Sequence, residues 1–205
     1  KTIPEGQLST ALFDQKSNVV YYLDGTYYVQ NSNVVIGGTT EWDDDDENII
    51  SWNLYNNITI KPKEGSNATI EFKRANTPRK IRIKAAINVT LENIKFTGTM
   101  NGEFLNIHDG VQNLTIKGCT FENMKTLAVN TAPIIDIHND GPTDLKTKNI
   151  IFENCKFHSS FSKTHPNFTK YLSFSSIQFR IVFSPFPIYS ASALIVTGFC
   201  RISFC

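Results

Sequence analysis

A chain of 205 residues can bury a hydrophobic core and suggests one domain, with at most an appendage. The formal net charge of +1 gives no reason to expect a nucleic-acid partner or a strongly acidic one. The four cysteines form no Cys-x-x-Cys pair, which argues against a zinc ribbon and a thioredoxin-like motif.

The N-terminal part, residues 8–56, is predicted to hold a cap and the first coils of a repeat. Residues 5–14 predict a short helix that would cover the open end of a stack of strands, an edge that otherwise invites pairing with another chain. Val19–Leu23 and Thr26–Val29 are aromatic and β-branched runs on either side of the turn dipeptide Asp24-Gly25, and both are predicted as strands.

An acidic run follows, from Asp43 to Asp46 and continuing with Glu47. Carboxylate oxygens suit Ca²⁺, but neighbouring residues on an extended chain point in opposite directions, and EF-hand spacing is absent. We interpret the run as a solvated loop, with calcium binding as the alternative, and predict no other metal or cofactor.

Residues 57–158 contain an internal repeat. The segments Asn88–Phe96, Asn113–Phe121 and Asn149–Phe157 align without gaps. Each reads as a strand with alternating apolar positions, a two-residue bend containing Asn or Gly, and a second strand. Stacking predicts an aromatic column of Phe96, Phe121 and Phe157, and a column of Ile94, Cys119 and Cys155. The two cysteines are expected to pack unbridged, with a disulfide between them as the alternative.

A second strand family lies between these segments. Ile81–Lys84, Leu105–His108 and Ile135–His138 align, giving three strands per coil and a recurrence of 24 to 36 residues. Parallel βαβ units would need helices of ten or more residues between strands, and residues 57–157 show no amphipathic helix pattern. The sequence therefore predicts an all-β solenoid whose coils stack about 4.8 Å apart in parallel.

The Asn-x-Thr-Ile-x-Asn/Gly-Cys-x-Phe rhythm of Asn113–Phe121, with the Gly-Thr-Tyr of Leu23–Tyr27, resembles the right-handed parallel β-helix, or pectin-lyase-like, superfamily. The chain is most similar in style to adhesin-like and polymorphic-membrane-protein-like repeat chains of microbial surfaces. The resemblance covers roughly residues 8–158 and implies an extracellular or cell-surface location. This fold hosts lyases, hydrolases, adhesins and phage tailspikes, so the resemblance bears on fold more than on activity.

The outward positions of the second strand family form the candidate site. Histidines and carboxylates one coil apart could serve acid–base chemistry, whereas a polar exposed strand face without function is the alternative interpretation. Stacking predicts a row of Arg82, Asn106 and Asp136 and a row of Lys84, His108 and His138, followed by loop residues Asp109, Asn139 and Asp140. In an enzyme, the candidate catalytic residues are Asp136, His138, His108 and Arg82, and the candidate substrate-binding residues are Lys84, Asn106, Asp109 and Asp140.

The motifs of known relatives argue against catalysis. Arg82–Lys84 matches the Arg-Ile-Lys of polygalacturonase-like hydrolases, but there the motif follows the catalytic aspartates, whereas here it precedes every other candidate. Asn130-Thr-Ala132 lacks the aspartate of their Asn-Thr-Asp motif. We therefore expect an adhesin-like protein that binds glycans or other surfaces without cleaving them. One alternative is a lyase or hydrolase acting on a uronic-acid polysaccharide; another is a fragment of a larger β-helix with a structural role.

Five Asn-x-Thr sequons could carry glycans in a secreted chain, although the repeat itself places Asn at strand starts. They begin at Asn57, Asn67, Asn88, Asn113 and Asn167.

The composition changes abruptly near residues 158–165. Residues 154–205 contain no Asp or Glu, five Lys or Arg, and nine of the 15 Phe. We therefore assign residues 1–158 to the β-helix, with regular coils over 57–158, and residues 159–205 to a hydrophobic tail. Ile181–Cys200 is uncharged and long enough to span a bilayer, but it contains two prolines. Three interpretations stay open for the tail: a membrane anchor, a region packed on the β-helix, or non-native sequence from a frameshift.

Overall fold

A computed structural model describes residues 1–14, 16–42, 49–74, 77, 79–100, 102–126, 134–137, 146–158, 172–174 and 179–182. Their strands form three parallel sheets and one antiparallel hairpin, so the chain is an all-β parallel β-helix. Parallel crossovers of this kind are right-handed in nearly all known proteins.

The three sheets form the sides of the solenoid, and each contains the equivalent strand of successive coils, here called rungs. Sheet A consists of β2 (Val19–Leu23), β7 (Tyr55–Pro62), β10 (Ala86–Glu92), β13 (Gln112–Lys117), β16 (Lys148–Glu153) and β19 (Phe179–Val182). Sheet B consists of β1 (Gly6–Gln7), β3 (Gly25–Val29), β8 (Ala68–Phe72), β11 (Ile94–Met100), β14 (Thr120–Thr126) and β17 (Lys156–His158). Sheet C consists of β4 (Val34–Gly37), β9 (Ile81–Lys84), β12 (Leu105–His108), β15 (Ile135–Ile137) and β18 (Leu172–Phe174).

The repeat predicted from the sequence is confirmed in its strand register. Leu114 pairs with Val89 on one side and with Ile150 on the other, as the alignment of the segments requires. Inward residues of the three sheets form one continuous buried core. Within it, the rings of Phe96 and Phe121 stack with centroids 4.9 Å apart and an interplanar angle of 10°. The side chain of Phe157, the predicted third member of that column, lies outside the described residues.

Asparagines form the corner that leads into sheet A. Asn18, Asn57, Asn88, Asn113 and Asn149 occupy equivalent positions on five rungs, with φ between 56° and 58°. Asparagine tolerates this left-handed conformation at low cost because its short side chain hydrogen-bonds locally. Here the side-chain amides of the last four each donate to the amide oxygen of the asparagine one rung earlier, at distances of 2.8 to 3.0 Å. This asparagine ladder runs along the outside of the solenoid and holds the corner of each rung over the last.

The N-terminal residues cover the first edge of all three sheets. Ile3 and Lys1 exchange backbone hydrogen bonds with Tyr22 of sheet A, and β1 pairs with β3 of sheet B. At sheet C, the Thr10 hydroxyl accepts a hydrogen bond from the backbone N–H of Val35. The predicted capping helix is a single 3-10 turn, Thr10–Phe13, because the preceding residues are used as edge strand. The cap thus satisfies backbone groups that would otherwise form an open edge.

A hairpin is inserted between the first and second rungs. It consists of β5 (Thr39–Trp42) and β6 (Ile49–Asn53), paired antiparallel. Gly38 permits its close approach to the solenoid, since an added Cβ there would lie 1.7 Å from the carbonyl oxygen of Asn53. The hairpin thereby places Thr40 next to sheet C.

Two strands are described beyond residue 158. β18 pairs with β15 of sheet C, and β19 pairs with β16 of sheet A. Within the described residues, no helix is long and apolar enough to cross a membrane. Most of Ile181–Cys200 lies outside those residues, so the anchor and frameshift interpretations stay predictions.

Candidate functional site

The candidate residues of the second strand family lie in register on sheet C. Asn106 of β12 pairs with Arg82 of β9 and with Asp136 of β15, which gives one row across three rungs. His108 pairs with Lys84 in the adjacent row. The stacking expected from the sequence is therefore present, and we call these five side chains the sheet C face.

The sheet C face is more enclosed than an open strand surface. Asn106 and Asp136 are each only 7% exposed, and the Asn106 amide nitrogen lies 3.5 Å from a carboxylate oxygen of Asp136. The side chain of His108 is 15% exposed. The alternation of apolar and polar residues correctly predicted which side chains point outward. It did not predict that Asn106 and Asp136 are nevertheless covered.

Asp109 anchors one edge of this face. It follows β12 with φ of 50°, and its backbone oxygen accepts a hydrogen bond from Ala85, the equivalent corner residue one rung earlier. Its carboxylate is almost fully buried and accepts a hydrogen bond of 3.0 Å from the Thr40 hydroxyl. Lys84 in turn donates a 3.1 Å hydrogen bond to Thr40. One polar network thus joins Thr40 of the inserted hairpin, Asp109 at the corner after β12, and Lys84 of β9.

His108 completes the network. Its Nδ1 lies 2.8 Å from the other carboxylate oxygen of Asp109. That oxygen lacks a well-aligned hydrogen bond, so the contact is an ion pair when the imidazole is protonated. Burial acts to raise the pKa of Asp109, but the side chain of His108, the hydroxyl of Thr40 and the charge of Lys84 outweigh it and hold that pKa below its ordinary value. Asp109 is therefore a carboxylate at neutral pH.

Two nitrogens on the sheet C face have unused hydrogen-bonding capacity. Nε of Arg82 and Nε2 of His108 are both shielded from solvent and have no hydrogen-bond partner within the described part of the chain. An enclosed polar group without a partner costs about 1–3 kcal/mol, so both nitrogens weaken the packing of this face.

Thr40 was not identified from the sequence. It lies in the hairpin insertion, which has no counterpart in the other rungs, so the repeat gave no register for it. The adjacent Gly37-Gly38 pair was the available signal, because two successive glycines often mark a close backbone approach.

Other predicted site residues lie outside the described part of the chain. These are His138, Asn139 and Asp140, together with the acidic run of residues 43–47. Among the described residues, no group of three or more His, Cys, Asp or Glu side chains is arranged to hold a metal ion.

A groove that the sequence did not predict lies at the bend between sheets A and B. Its volume is about 480 Å³, within the range of small-molecule sites. Tyr22, Lys61, Glu92 and Asn67 contribute to its lining. The bend of this rung, residues 63–67, has five residues, whereas the equivalent bends of the other described rungs have one or two. The greater length of this bend was the feature of the sequence that could have indicated the groove.

No family model, no curated protein and no solved structure matches this chain. Its parallel β-helix architecture is therefore established by its own strand pairing.

Proposed function

We propose that this chain is the β-helix of an extracellular or cell-surface protein of the pectin-lyase-like superfamily, and that it binds an acidic polysaccharide or surface glycan without cleaving it. The observation that carries the proposal is the pair of partly exposed cations Arg82 and Lys84 on one strand of sheet C, beside the covered side chains of Asn106 and Asp136. The adhesin-like resemblance of the repeat supports the same function.

The repeating geometry favours a polymer as the ligand. Rungs of parallel strands recur about every 4.8 Å, so the sheet C face presents similar polar positions repeatedly along the solenoid axis. A ligand whose own hydroxyl and carboxyl groups recur along its length can meet several of these positions at once. Each individual contact can then be weak while the sum is specific.

The charges favour an acidic ligand. Arg82, Lys84 and His108 contribute three cationic or ionisable groups to the face, against one carboxylate, that of Asp136, and the negative charge of Asp109 is already paired within its network. The partly exposed guanidinium of Arg82 and ammonium of Lys84 could donate to carboxylate oxygens, and hydrogen bonds between charged groups are about twice as strong as neutral ones.

The state of Asp109 argues against a role for this residue as a general acid. A general acid that cleaves glycosidic bonds needs a raised pKa, so that it holds a proton at neutral pH. The pKa of Asp109 is lowered instead, and its carboxylate is buried against Thr40 and His108. A lyase or hydrolase would have to use Asp136, His138, His108 and Arg82. The experiment must therefore distinguish cleavage of the polysaccharide from binding alone.

The decisive experiment measures binding and cleavage on the same folded full-length chain. Polygalacturonate, alginate and a neutral glucan would be tested by calorimetry, with reducing ends and unsaturated products assayed in parallel, with and without Ca²⁺. We expect salt-sensitive binding to the acidic polymers, no product, and at least roughly tenfold weaker binding for Arg82→Ala. Lys117→Ala, which removes an exposed cation from sheet A, is the matched control and should bind normally.

Two other results would each support a different function. Product formation that Asp136→Ala abolishes would make the chain a polysaccharide-cleaving enzyme. Absence of both binding and cleavage would favour a purely structural β-helix segment.

A further inference from the structure

The sequons in the described residues differ in what their asparagines do. Asn57, Asn88 and Asn113 belong to the asparagine ladder, in which each side-chain nitrogen donates to the neighbouring amide oxygen. Each of the three also has the left-handed backbone conformation of the corner. Asn67 heads a sequon of the same Asn-x-Thr form but takes no part in the ladder.

A glycan on a ladder asparagine would disturb the stack. Attachment replaces one hydrogen of the side-chain nitrogen with the anomeric carbon of a sugar. The equivalent asparagines above and below lie only about 4.8 Å away, so a sugar there would be placed against its neighbours. The ladder bonds on both sides of that rung would then be strained or lost.

Asn67 has the surroundings that a glycan requires. It is exposed and directly follows a tight turn in which Ser66 donates a backbone hydrogen bond of 3.0 Å to Lys63. Its own backbone oxygen accepts a hydrogen bond of 3.0 Å from Gly25, so the residue is anchored through its main chain. N-glycans are bulky groups carried on such surface segments.

The groove offers the attached sugar a place to lie. Asn67 is itself part of the lining of the groove of about 480 Å³, together with Tyr22, Lys61 and Glu92. An aromatic ring, an amine and a carboxylate are groups that pack on and hydrogen-bond to a sugar ring. This cavity is formed by the one long bend between sheets A and B in the described rungs, the same bend that carries Asn67.

We propose that Asn67 is an N-glycan attachment site and that the ladder sequons Asn57, Asn88 and Asn113 remain unmodified in the folded protein. The inference rests on the extracellular location in the proposed function, but not on the sheet C face as a binding site. The donor is a lipid-linked oligosaccharide phosphate or pyrophosphate. The side-chain nitrogen of Asn67 forms a bond to the anomeric carbon, the lipid-linked phosphate leaves with the bonding electrons, and the displaced amide proton passes to a base of the transferase.

The test is secretion of the full chain from an N-glycosylating host, followed by peptide mapping after glycosidase treatment in ¹⁸O water. The label should appear at Asn67 and be absent from Asn57, Asn88 and Asn113. Thr69→Val should abolish it by destroying the sequon, and Thr69→Ser, which preserves the sequon, should restore it. Thr59→Val removes the sequon of Asn57 at an equivalent outward strand position and should leave the glycan pattern unchanged.

Two outcomes would overturn the proposal: a folded secreted chain with no glycan at Asn67, or one labelled at the ladder positions. Polysaccharide binding by the Thr69→Val chain should equal that of the parent, and Arg82→Ala should keep its glycan. Failure of the glycan site and failure of the binding face are therefore distinguishable.

Discussion

Cys155 lies one rung from Cys119 in the same register, and the backbone N–H of Lys156, the residue after it, donates a 2.9 Å hydrogen bond to the carbonyl oxygen of Cys119. Both cysteines are unbridged in this structure. The neighbouring thiol of Cys155 and burial raise the pKa of Cys119. The neighbouring thiol of Cys119 lowers the pKa of Cys155, although burial opposes this. Cys155 is the less buried of the two cysteines, so its thiol is the more accessible to an oxidant.

Oxidation should join these two cysteines. Strands in register place their Cα atoms about 4.8 Å apart, within the range of about 4.4–6.8 Å that a disulfide spans. With glutathione disulfide, Cys155 attacks first and Cys119 then displaces glutathione, so one disulfide is reduced as another forms. We expect an intramolecular Cys119–Cys155 bridge by peptide mapping, with a gain of about 2–4 kcal/mol in unfolding free energy. Pairing with Cys200 or Cys205 instead would contradict the stacked geometry.

The asparagine ladder should contribute to stability beyond its backbone conformation. Asn88→Gly keeps the left-handed corner accessible but removes hydrogen bonds to Asn57 and Asn113. Two hydrogen bonds of about 0.5–1.5 kcal/mol each predict a loss of about 1–3 kcal/mol in urea unfolding. Asn123→Gly is the matched control, since Asn123 has φ of 53° and is exposed but lies outside the ladder. Equal losses of unfolding free energy for the two variants would show that the side-chain hydrogen bonds of the ladder do not contribute to stability.

The Asp109 network should make stability depend on acid pH. Because the folded pKa of Asp109 lies below its ordinary value of 3.8, the carboxylate stabilises the fold above that value, and the contribution is lost as the pH falls through the lower folded pKa. Asp109→Asn keeps a residue that tolerates φ of 50° but removes the charge. It should cost about 1–3 kcal/mol at pH 7 and less at pH 2, measured by urea unfolding at both pH values. A cost independent of pH would contradict an electrostatic origin.

Glu122→Gln provides the matched control for that experiment. Glu122 pairs with Lys95 on sheet B, where both side chains are partly solvated. Such surface pairs contribute about 0–1 kcal/mol, so this variant should change stability little at either pH.

The ring stack of Phe96 and Phe121 should be among the most sensitive parts of the core. Both side chains are 2% exposed or less. Phe121→Ala removes a ring between two rungs and should cost about 3–5 kcal/mol, whereas Phe121→Leu should cost less because it leaves a smaller cavity. Thermal and urea unfolding would measure both; similar losses for the two would indicate that the ring stack itself, rather than the filled volume, is what matters.

The sequence predicted the solenoid well where each rung repeats the last. The alternation from Val89 to Leu91 and the recurring asparagines fixed strands, faces and register together, because a shift of one residue would turn every side chain to the other face. The hairpin with Thr40 was not predicted, since an insertion has no counterpart with which to align. The enclosure of Asn106 and Asp136 was also not predicted, because burial of an outward face depends on contacts distant in sequence.

The ladder amides all point their N–H groups toward the N-terminal end of the solenoid. A rung that slipped in register would lose the amide-to-amide hydrogen bonds at that corner. The correct register is thus favoured at each of the four described ladder contacts. The same side chains that hold the finished stack together therefore also select its register.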